Sequence, residues 1–373
     1  MKRTVSKAFF LVGLGVLLAI PACHRLASAP APMATPVVYQ SPQSPLAVWP
    51  WPKAQKESLH PGVTHWYLDA SATDATQLDL LEFDFAANPH LRLELFDQDQ
   101  DDAHPFDNQA NFWARGVWQV TRQLNAARQG KVVAAWNGLF FGFDHQGVDG
   151  IAEHVAPVVL QGQVHYAGGN HRWTFGVQYH DGKPEFKTIH LPDTATLARE
   201  YDYAAGAAQS LIREGAPLRL QPVPRPGEAP LKSPVLSTPE EAGHIPVVDH
   251  FQTSRVSLGW SRDSTKLMLL FVKDFGTETE NALAFRHGRP GKGGWTLADL
   301  QRFWQAKQVW GAINSDGGGP AQLTFLLRNG HYLFIPAQWA AGNQRLEMSP
   351  AASTNAPQGG TLMYFYVRDT ASQ

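Results

Sequence analysis

Short runs that alternate apolar and polar residues constrain this chain most, because period-two alternation is typical of strands with one buried face. The clearest runs are TQLDLLEFDF (76–85) and HLRLELFD (90–97). WTFGVQYHDGKPEFKTIHL (173–191) predicts a hairpin around the Asp181-Gly182 turn, and RVSLGWSRDSTKLMLLFV (255–272) predicts a second one. Strands joined in this way favour sheets that are largely antiparallel.

Two segments have the apolar spacing of helices. The segment 112–130 ends at Gly130, which is a suitable helix stop, and the segment 296–308 begins with Thr296 and Asp299, which form a near capping box. Strands outnumber helices and do not alternate with them regularly. The predicted class is therefore α+β, with mixed, largely antiparallel sheets and a few packed helices in a single large domain.

The first 23 residues predict export. Basic residues precede an apolar run that ends at Ile20, and this run is too short to span a bilayer comfortably as a helix. Cys23, the only cysteine, follows Ile-Pro-Ala, and the stretch resembles a bacterial lipoprotein signal, in which the cysteine becomes the lipidated N-terminus. An anchor helix that stays uncleaved is the alternative. The resemblance implies an exported, membrane-anchored lipoprotein of the bacterial cell envelope that faces the periplasm.

Residues 24–58 are dominated by proline, alanine and serine, which is typical of an extended spacer, although VWPWP (48–52) offers two tryptophans that could dock on a domain surface. The folded domain is then predicted over 59–373. A formal net charge of −2, with no basic stripe, argues against nucleic acid as a partner. The twelve tryptophans fit either core aromatics or a carbohydrate-facing surface, and composition does not choose between them.

The stretch GAINSDGGGPAQLTF (311–325) is the strongest candidate for a site. GAIN and QLTFLL predict strands, so Asp316 and the glycines 317–319 lie in the bend that joins them. A hairpin needs only one or two residues with positive φ. Three glycines also allow close backbone approach and a nest of N–H groups that binds anions. The alternative is a tight turn in which Asp316 caps its own loop.

Two further stretches place polar groups at strand ends. KVVAAWN (131–137) predicts a buried strand that ends at Asn137 and Gly138, and the asparagine amide can both donate and accept. Arg255 opens a strand, and its planar guanidinium suits phosphate or carboxylate. The alternatives are an Asn-Gly turn and a salt bridge at the rim of the sheet.

In order and spacing, these stretches resemble the phosphodiester glycosidase family. The similar segments are an entry strand (HPGVTHWYLD), a strand end (AAWNGLFF), a helix-like stretch (AAGAAQSLIREGAPL), an Arg-led hairpin (SRVSLGWSRDSTKLMLLFV) and a helix that leads into the glycine bend (GWTLADLQRFWQAKQVWGAINSDGGG). Together they cover most of residues 59–369. The resemblance implies hydrolysis of the glycosidic bond of a sugar attached to phosphate, in an envelope glycan.

The resemblance also implies which residues form the site. It maps Asn137, Arg255, Asn314, Asp316 and Gly317 onto the pocket of the family. We predict catalytic roles for Asp316, Arg255 and Asn137, and substrate binding by Asn314, Gly317, Gly318, Gly138 and Glu153. A phosphodiester carries one negative charge, which a guanidinium and a glycine nest can hold, and phosphate leaves with little acid assistance. One carboxylate then suffices, and Glu153 and Asp149 are further candidates if two carboxyl groups cooperate.

Two departures from the family pattern leave a second interpretation open. Leu139 stands where the family has a second glycine, and Pro320 and Ala321 replace hydroxyl residues, which removes an N–H and two donors. The alternative function is a catalytically inactive glycan-binding envelope lipoprotein of the same fold. On either interpretation we expect carbohydrate or sugar phosphate as the ligand, membrane contact through the lipid anchor, and no cofactor, with a divalent cation left open.

The acidic run DQDQDD (97–102) has alternating acids like the start of a calcium loop. Asp102 stands where that loop needs glycine, and Asn108 stands where a bidentate glutamate closes it. We interpret the run as a solvated charged segment, and we predict no metal site.

Overall fold

The structure is a computed structural model, and it describes residues 44–69, 76–127, 129–143, 150–169, 173–190, 192–220, 244–245, 252–274, 293–337, 345–353 and 359–371. These residues belong to one unit of the chain, which extends over residues 37–373. The predicted signal segment with Cys23 lies outside the described residues, as does Asp149.

Twenty-three strands, three α-helices and one 3-10 helix make up the described elements. In chain order they are β1 (Gln55–His60), β2 (Val63–Leu68), β3 (Thr76–Asp84), β4 (Leu91–Asp97), the 3-10 helix (Gln98–Asp101), β5 (Gln109–Asn111), α1 (Val117–Ala126), β6 (Lys131–Asn137), β7 (Gly142–Phe143), β8 (Ile151–Glu153), β9 (Val158–Leu160), β10 (Gln163–Tyr166), β11 (Trp173–His180), β12 (Lys183–His190), α2 (Thr194–Glu200), β13 (Tyr203–Arg213), β14 (Ala216–Pro217), β15 (Arg219–Leu220), β16 (His244–Ile245), β17 (Arg255–Trp260), β18 (Lys266–Asp274), α3 (Leu297–Lys307), β19 (Gly311–Asn314), β20 (Leu323–Leu326), β21 (Tyr332–Ile335), β22 (Leu346–Met348) and β23 (Met363–Asp369).

Most strands belong to two sheets. The larger sheet has the order β1-β2-β3-β18-β17-β19-β13-β11-β12, with β9, β10 and β14 attached beside β13. The smaller sheet has the order β22-β21-β20-β6-β23-β4, and a further three-stranded sheet has the order β5-β8-β7. Apart from the parallel β15–β16 pair, the neighbouring strands run antiparallel. The predicted α+β class with largely antiparallel sheets is confirmed.

The two main sheets face each other across one hydrophobic core. Alternate residues of β3, β17 and β18 point into it from the larger sheet, and those of β6, β20 and β23 from the smaller one. Trp136 of β6 stacks on Phe83 of β3 with ring centroids 6.1 Å apart, and Phe175 of β11 meets Phe365 of β23 at 5.7 Å. Burial on both faces explains why β18 reads as a nearly continuous apolar run.

Each sheet carries a helix on its outer face. Leu300, Phe303 and Trp304 of α3 pack against the larger sheet, and Val117 and Val120 of α1 pack against the smaller one. The Thr296 hydroxyl accepts a hydrogen bond from the Asp299 N–H, and the Asp299 carboxylate accepts one from the Thr296 N–H, so the predicted capping box is present. Helix α1 begins at Val117 rather than Phe112, because Gly116 is its N-cap.

Both predicted hairpins are present in the structure. Asp181 and Gly182 join β11 to β12 with φ values of 50° and 78°, the positive values that a type I′ turn requires. Strands β17 and β18 pair in register from Arg255–Val272 to Trp260–Leu267.

The stretch AAGAAQSLIREGAPL is a strand, and the expectation of a helix-like segment was wrong. Strand β13 pairs with β11 and β9 through its first half and with β19 through its second half. Ala207, with φ of 67°, lies where the register shifts. A Cβ on Gly206 would lie 2.4 Å from the Ala156 Cβ, so this strand needs small residues for close approach. Pairing on both edges overrides the helix propensity of alanine.

The boundary between spacer and domain also needs correction, because residues 44–58 belong to the packed structure. Strand β1 begins at Gln55. Trp51 is 4% exposed and stacks on Phe303 of α3 at 5.3 Å, and the Ser44 N–H donates to the buried Asp299 carboxylate at 2.8 Å. Trp51 of VWPWP is therefore part of the packed core and does not simply dock on the domain surface.

Candidate active site

The last residues of β6, the first residues of β17 and the last residues of β19 meet where the two main sheets face each other. The Ser315 N–H donates to the Val256 carbonyl at 2.8 Å, and the Ser315 hydroxyl donates to the Gly138 carbonyl. The Asp316 N–H donates to the same Gly138 carbonyl at 3.0 Å. The two residues after β19 therefore bridge from the larger sheet to the end of β6 in the smaller sheet.

The glycine loop, residues 316–321, crosses between the two sheets and does not close a hairpin. Strand β19 pairs with β17 and β13, whereas β20 pairs with β6 and β21. A Cβ on Gly317 would lie 2.7 Å from the Ser254 carbonyl oxygen and 3.2 Å from the Arg255 Cα. The glycines thus allow the loop to pass against the start of β17, which places Asp316 beside Arg255 along the backbone.

The predicted anion-binding nest is wrong for one of its glycine N–H groups, because the Gly318 N–H donates to the Ser254 carbonyl at 2.8 Å. Gly318 has φ of 71°, which favours glycine there. The N–H of the preceding residue, Asp316, is bonded to the Gly138 carbonyl. These two main-chain donors are used inside the protein, so they do not hold an external anion.

Arg255 is the predicted anion-binding side chain, and it is 3% exposed. Its Nε donates to the Trp295 carbonyl at 2.9 Å, and Trp295 and Thr253 form an isolated bridge that holds this carbonyl in place. A guanidinium that is anchored through Nε has a defined orientation for its two Nη groups, which suits the geometry of a phosphate.

The side chain of Asn137 forms hydrogen bonds that hold the glycine loop in place. Its Nδ2 donates to the Pro320 carbonyl at 3.1 Å and to the Gly360 carbonyl at 3.3 Å, and its Oδ1 accepts from the Gln322 N–H at 2.5 Å. The side chain is fully buried. These bonds make Asn137 a residue that positions the glycine loop, which differs from the catalytic role that the resemblance implies.

The two polar residues around the end of β19 are also buried. Asp316 is 8% exposed, and Asn314 is fully buried, with its Nδ2 donating to Gln209 Oε1 at 2.6 Å. Asn314 Oδ1 has no hydrogen-bond partner among the described residues. A buried carbonyl oxygen of this kind is normally satisfied, which makes Asn314 a candidate contact for a ligand hydroxyl.

Lys273 is a buried cation that the sequence reading missed. It lies at the end of β18 with no exposed surface, and its Nζ donates to the Ala321 carbonyl at 3.2 Å and to the Pro336 carbonyl at 3.1 Å. Burial lowers the pKa of Lys273 to about 8, although the neighbouring Asp274 carboxylate opposes this shift. A single lysine inside the apolar run LMLLFVKD was the available signal.

The remaining predicted residues occupy other places. Gly138 belongs to the cluster, and a Cβ there would lie 2.6 Å from the Met363 carbonyl oxygen. Glu153 lies on β8 of the three-stranded sheet, where it pairs with Gln109 and Gly142, and so it belongs to neither of the two main sheets. Leu139 is fully buried in the main core, so the departure from the family pattern at this position fills the core.

The acidic run 97–102 is not a solvated segment, and that prediction was wrong for two of its residues. Asp97 and Asp99 are 1% and 3% exposed. Asp97 accepts a hydrogen bond from the Asp99 N–H and lies 2.8 Å from His154 Nε2, whereas Asp99 accepts one from the Asn108 N–H. Burial, helped by the nearby Asp97 charge, raises the pKa of Asp99 to about 6. The run folds inward because its first carboxylates satisfy local N–H groups.

Comparisons with known proteins find distant structural likeness only. No family model matches the sequence, and no curated protein matches it. A zebrafish N-acetylglucosamine-1-phosphodiester alpha-N-acetylglucosaminidase catalytic domain, auto-inhibited by its pro-peptide, is similar over 85% of this chain and 87% of its own, with 17% identity and a TM-score of 0.49. A hypothetical protein from Synechocystis covers 85% of this chain and 64% of its own, with 12% identity and a TM-score of 0.47.

An exported protein from Burkholderia pseudomallei K96243 covers 82% of this chain and 74% of its own, with 12% identity and a TM-score of 0.42. Likenesses at these identities and TM-scores do not assign an activity. The functional roles of the residues described above therefore remain predictions that rest on the geometry of the site and on the sequence.

Within the described ranges, no group of three or more His, Cys, Asp or Glu side chains is placed to hold a metal ion. The same part of the chain contains no helix with the length and apolarity needed to cross a membrane. Cofactor need and membrane attachment both remain predictions.

Proposed function

We propose that this chain is a hydrolase that cleaves the glycosidic bond of a sugar attached to phosphate in an envelope glycan. The observation that carries the proposal is the contact between the glycine loop, which begins at the buried Asp316, and the start of β17, where the buried Arg255 lies. In the proposed site an anchored guanidinium holds the anionic leaving group and the carboxylate acts at the neighbouring carbon.

In the proposed reaction, Arg255 binds the phosphodiester and Asp316 acts at the anomeric carbon. The bond between that carbon and the bridging oxygen breaks, and the phosphate leaves with the bridging oxygen. Acting as a base, Asp316 takes a proton from the water that supplies the new hydroxyl group of the sugar. Acting as a nucleophile, it forms a glycosyl intermediate that water then releases. Asn314 is proposed to contact a sugar hydroxyl.

The segment 1–23 supports the cellular part of the proposal. Its basic start, short apolar run and Cys23 motif favour export and lipid anchoring in the cell envelope, facing the periplasm. Metabolic labelling with a radioactive or alkyne fatty acid tests this directly. Label on the natural chain and none on Cys23→Ser is expected, and equal label on both would contradict lipidation at Cys23.

Hydrolysis of a sugar 1-(4-nitrophenyl phosphate) diester in ¹⁸O-water tests the activity. We expect free sugar that carries the label, 4-nitrophenyl phosphate without it, and a fall in kcat of at least about a hundredfold for Asp316→Asn. Asp181→Asn is the matched control, because Asp181 lies in an exposed turn where asparagine also tolerates positive φ. Label in the phosphate, or equal turnover by wild type and Asp316→Asn, would contradict the proposal.

A glycan-binding protein without activity is the second candidate, and a specific observation favours it. The Asn137 amide and the N–H groups of Asp316 and Gly318 are all used in internal hydrogen bonds, which leaves fewer donors for a transition state. Calorimetric binding of the same diester without release of sugar would select this candidate over the hydrolase.

A further inference from the structure

A cavity lies at the edge of the smaller sheet, and none of its lining residues belongs to the candidate active site. It is bounded by β4, the β9–β10 turn and the end of α1, and has a volume of about 410 Å³. We call it the glutamine pocket, because Gln100, Gln123, Gln161 and Gln163 line it together with Phe106 and His165. Arg255, Asp316 and Asn137 are not among its lining residues. The volume lies within the range of sites that hold small molecules.

Among the described residues, the lining of the glutamine pocket contains no Lys, Arg, Asp or Glu. Burial lowers the pKa of His165, which favours the neutral imidazole. Two charged pairs lie behind the lining: Asp101 is 2.6 Å from Arg115 beside Gln123, and Glu94 is 2.7 Å from Arg368 behind Tyr366. An anion in contact with these described lining residues would lose hydration without gaining a cation, so they disfavour phosphate groups.

The pocket combines hydrogen-bonding amides with an exposed ring. A glutamine amide has both donors and an acceptor. Gln123 already donates to Asp101 and accepts from Arg115, so Gln100 and Gln163 are the amides proposed to contact a ligand. Phe106 is 51% exposed and has φ of 66°, a value that a phenylalanine rarely adopts. Its N–H donates to the Asp99 carbonyl at 3.2 Å, and its ring meets the His165 ring edge-on at 4.4 Å. These contacts hold an apolar ring at the surface against a backbone preference.

His165 adds a polar atom that lacks a partner. Its Nδ1 is buried and has no hydrogen bond among the described residues. A buried ring nitrogen without a partner loses hydration with no compensation, so a ligand hydroxyl at this atom would be favourable.

We propose that the glutamine pocket binds a neutral saccharide, at a site separate from the one that acts on the sugar phosphodiester. Sugar hydroxyls donate to and accept from amides in pairs, and the C–H face of a pyranose packs on the negative face of an aromatic ring. The site has no group that would act on the sugar, so it holds glycan without cleaving it. The inference does not depend on the proposed hydrolase, because it uses neither Arg255 nor Asp316.

Saturation-transfer NMR and calorimetry with maltotriose, cellotriose and the trisaccharide of N-acetylglucosamine test the proposal. We expect at least one of these to bind, and Phe106→Gly to weaken that binding about tenfold, which corresponds to about 1.4 kcal/mol from one aromatic contact. Glycine accepts φ of 66° without strain, so this variant should fold. Gln163→Ala is the second variant, should Phe106→Gly fail to fold.

Val164→Ala is the matched control, because Val164 is 43% exposed on β10, the strand that also carries Gln163, and does not line the pocket. It should bind as the wild type does, and Asp316→Asn should also keep saccharide binding whether or not it keeps hydrolysis. Binding of none of the three saccharides would overturn the proposal. So would full binding by both pocket variants, loss of binding by Asp316→Asn, or tighter binding of glucose 6-phosphate than of glucose by the pocket.

Discussion

Lys273 is a single buried charge that holds the end of the glycine loop. Its ammonium joins the Ala321 carbonyl, at the end of the glycine loop, to the Pro336 carbonyl after β21. No exposed surface remains on the side chain. Burial lowers the pKa to about 8, so the charged form that makes these bonds is also the form that burial opposes.

The lowered pKa predicts how stability depends on pH. Between pH 8 and the unfolded value near 10.5, the unfolded chain binds more protons at Lys273 than the folded chain does, so this residue makes stability rise with pH. We expect the difference in unfolding free energy between wild type and Lys273→Met to change by up to about 3 kcal/mol in favour of wild type across this window. Urea unfolding at several pH values measures it.

Lys266→Met is the control for Lys273→Met, because it removes an ammonium from an exposed side chain on the same strand. Tyrosines titrate similarly in all three proteins, so they cancel in the comparison. A difference for Lys273→Met that is independent of pH from about 8 to 10 would show that the ammonium titrates in the folded state as it does in water.

At the scale of elements, the connection from β19 to β20 decides how the site is built. It leaves the larger sheet, touches the ends of β6 and β17, and enters the smaller sheet. The sequence predicted a bend that joins two strands, with a tight turn as the alternative, and it did not predict that the two strands belong to different sheets. Contact between main chains, and not a need for free N–H groups, explains the glycine at 317.

This account predicts the effect of a single methyl group. In Gly317→Ala the Cβ would lie 2.7 Å from the Ser254 carbonyl oxygen, so the loop or the start of β17 must shift. We expect a loss of about 1–3 kcal/mol of stability and a larger relative loss of diester hydrolysis, because Asp316 and Arg255 move apart.

Gly330→Ala is the control that distinguishes a steric clash of the new Cβ from backbone strain. Gly330 has φ of 84° and no atom within 4 Å of a Cβ, so its substitution by alanine meets only strain and should leave hydrolysis unchanged. Thermal unfolding and initial rates on both variants give the two readouts. Wild-type stability and activity in Gly317→Ala would contradict the close contact.

At the scale of the whole molecule, residues 44–58 extend the packed structure beyond the predicted domain. Trp51 and Ala47 join the core between α3 and the larger sheet, and Trp49 packs edge-on against Trp66 at 5.0 Å. The helix α3 is therefore covered on two sides, by the sheet and by the N-terminal segment.

Truncation tests this extension. A chain that begins at Ser44 should unfold at nearly the same urea concentration as one that begins at Ser28. A chain that begins at Leu59 should lose at least about 3 kcal/mol, since the buried Trp51 alone is expected to contribute that much. Equal stability of the Ser44 and Leu59 chains would mean that the segment adds no net stabilisation.

The sequence by itself determined the local elements. Period-two runs identified β3 and β4, and the hairpin patterns at 173–191 and 255–272 identified β11, β12, β17 and β18. The Asp181-Gly182 pair identified its turn, and Thr296 with Asp299 identified the start of α3. These features depend on hydrogen bonds and side-chain spacing within a few residues, so a local pattern is enough to predict them. The same patterns supported the α+β class.

Only the tertiary structure decided which strand ends meet and what their polar groups do there. The Asn137 amide is hydrogen-bonded to the glycine loop, and the N–H groups of Asp316 and Gly318 donate to carbonyls inside the protein. Asp97 and Asp99 are buried. The alanine-rich β13 became a strand through its neighbours, and Lys273 gained its role from two distant carbonyls. Such contacts join residues far apart in the chain, and no local periodicity specifies the partner of a strand edge or of a buried polar atom.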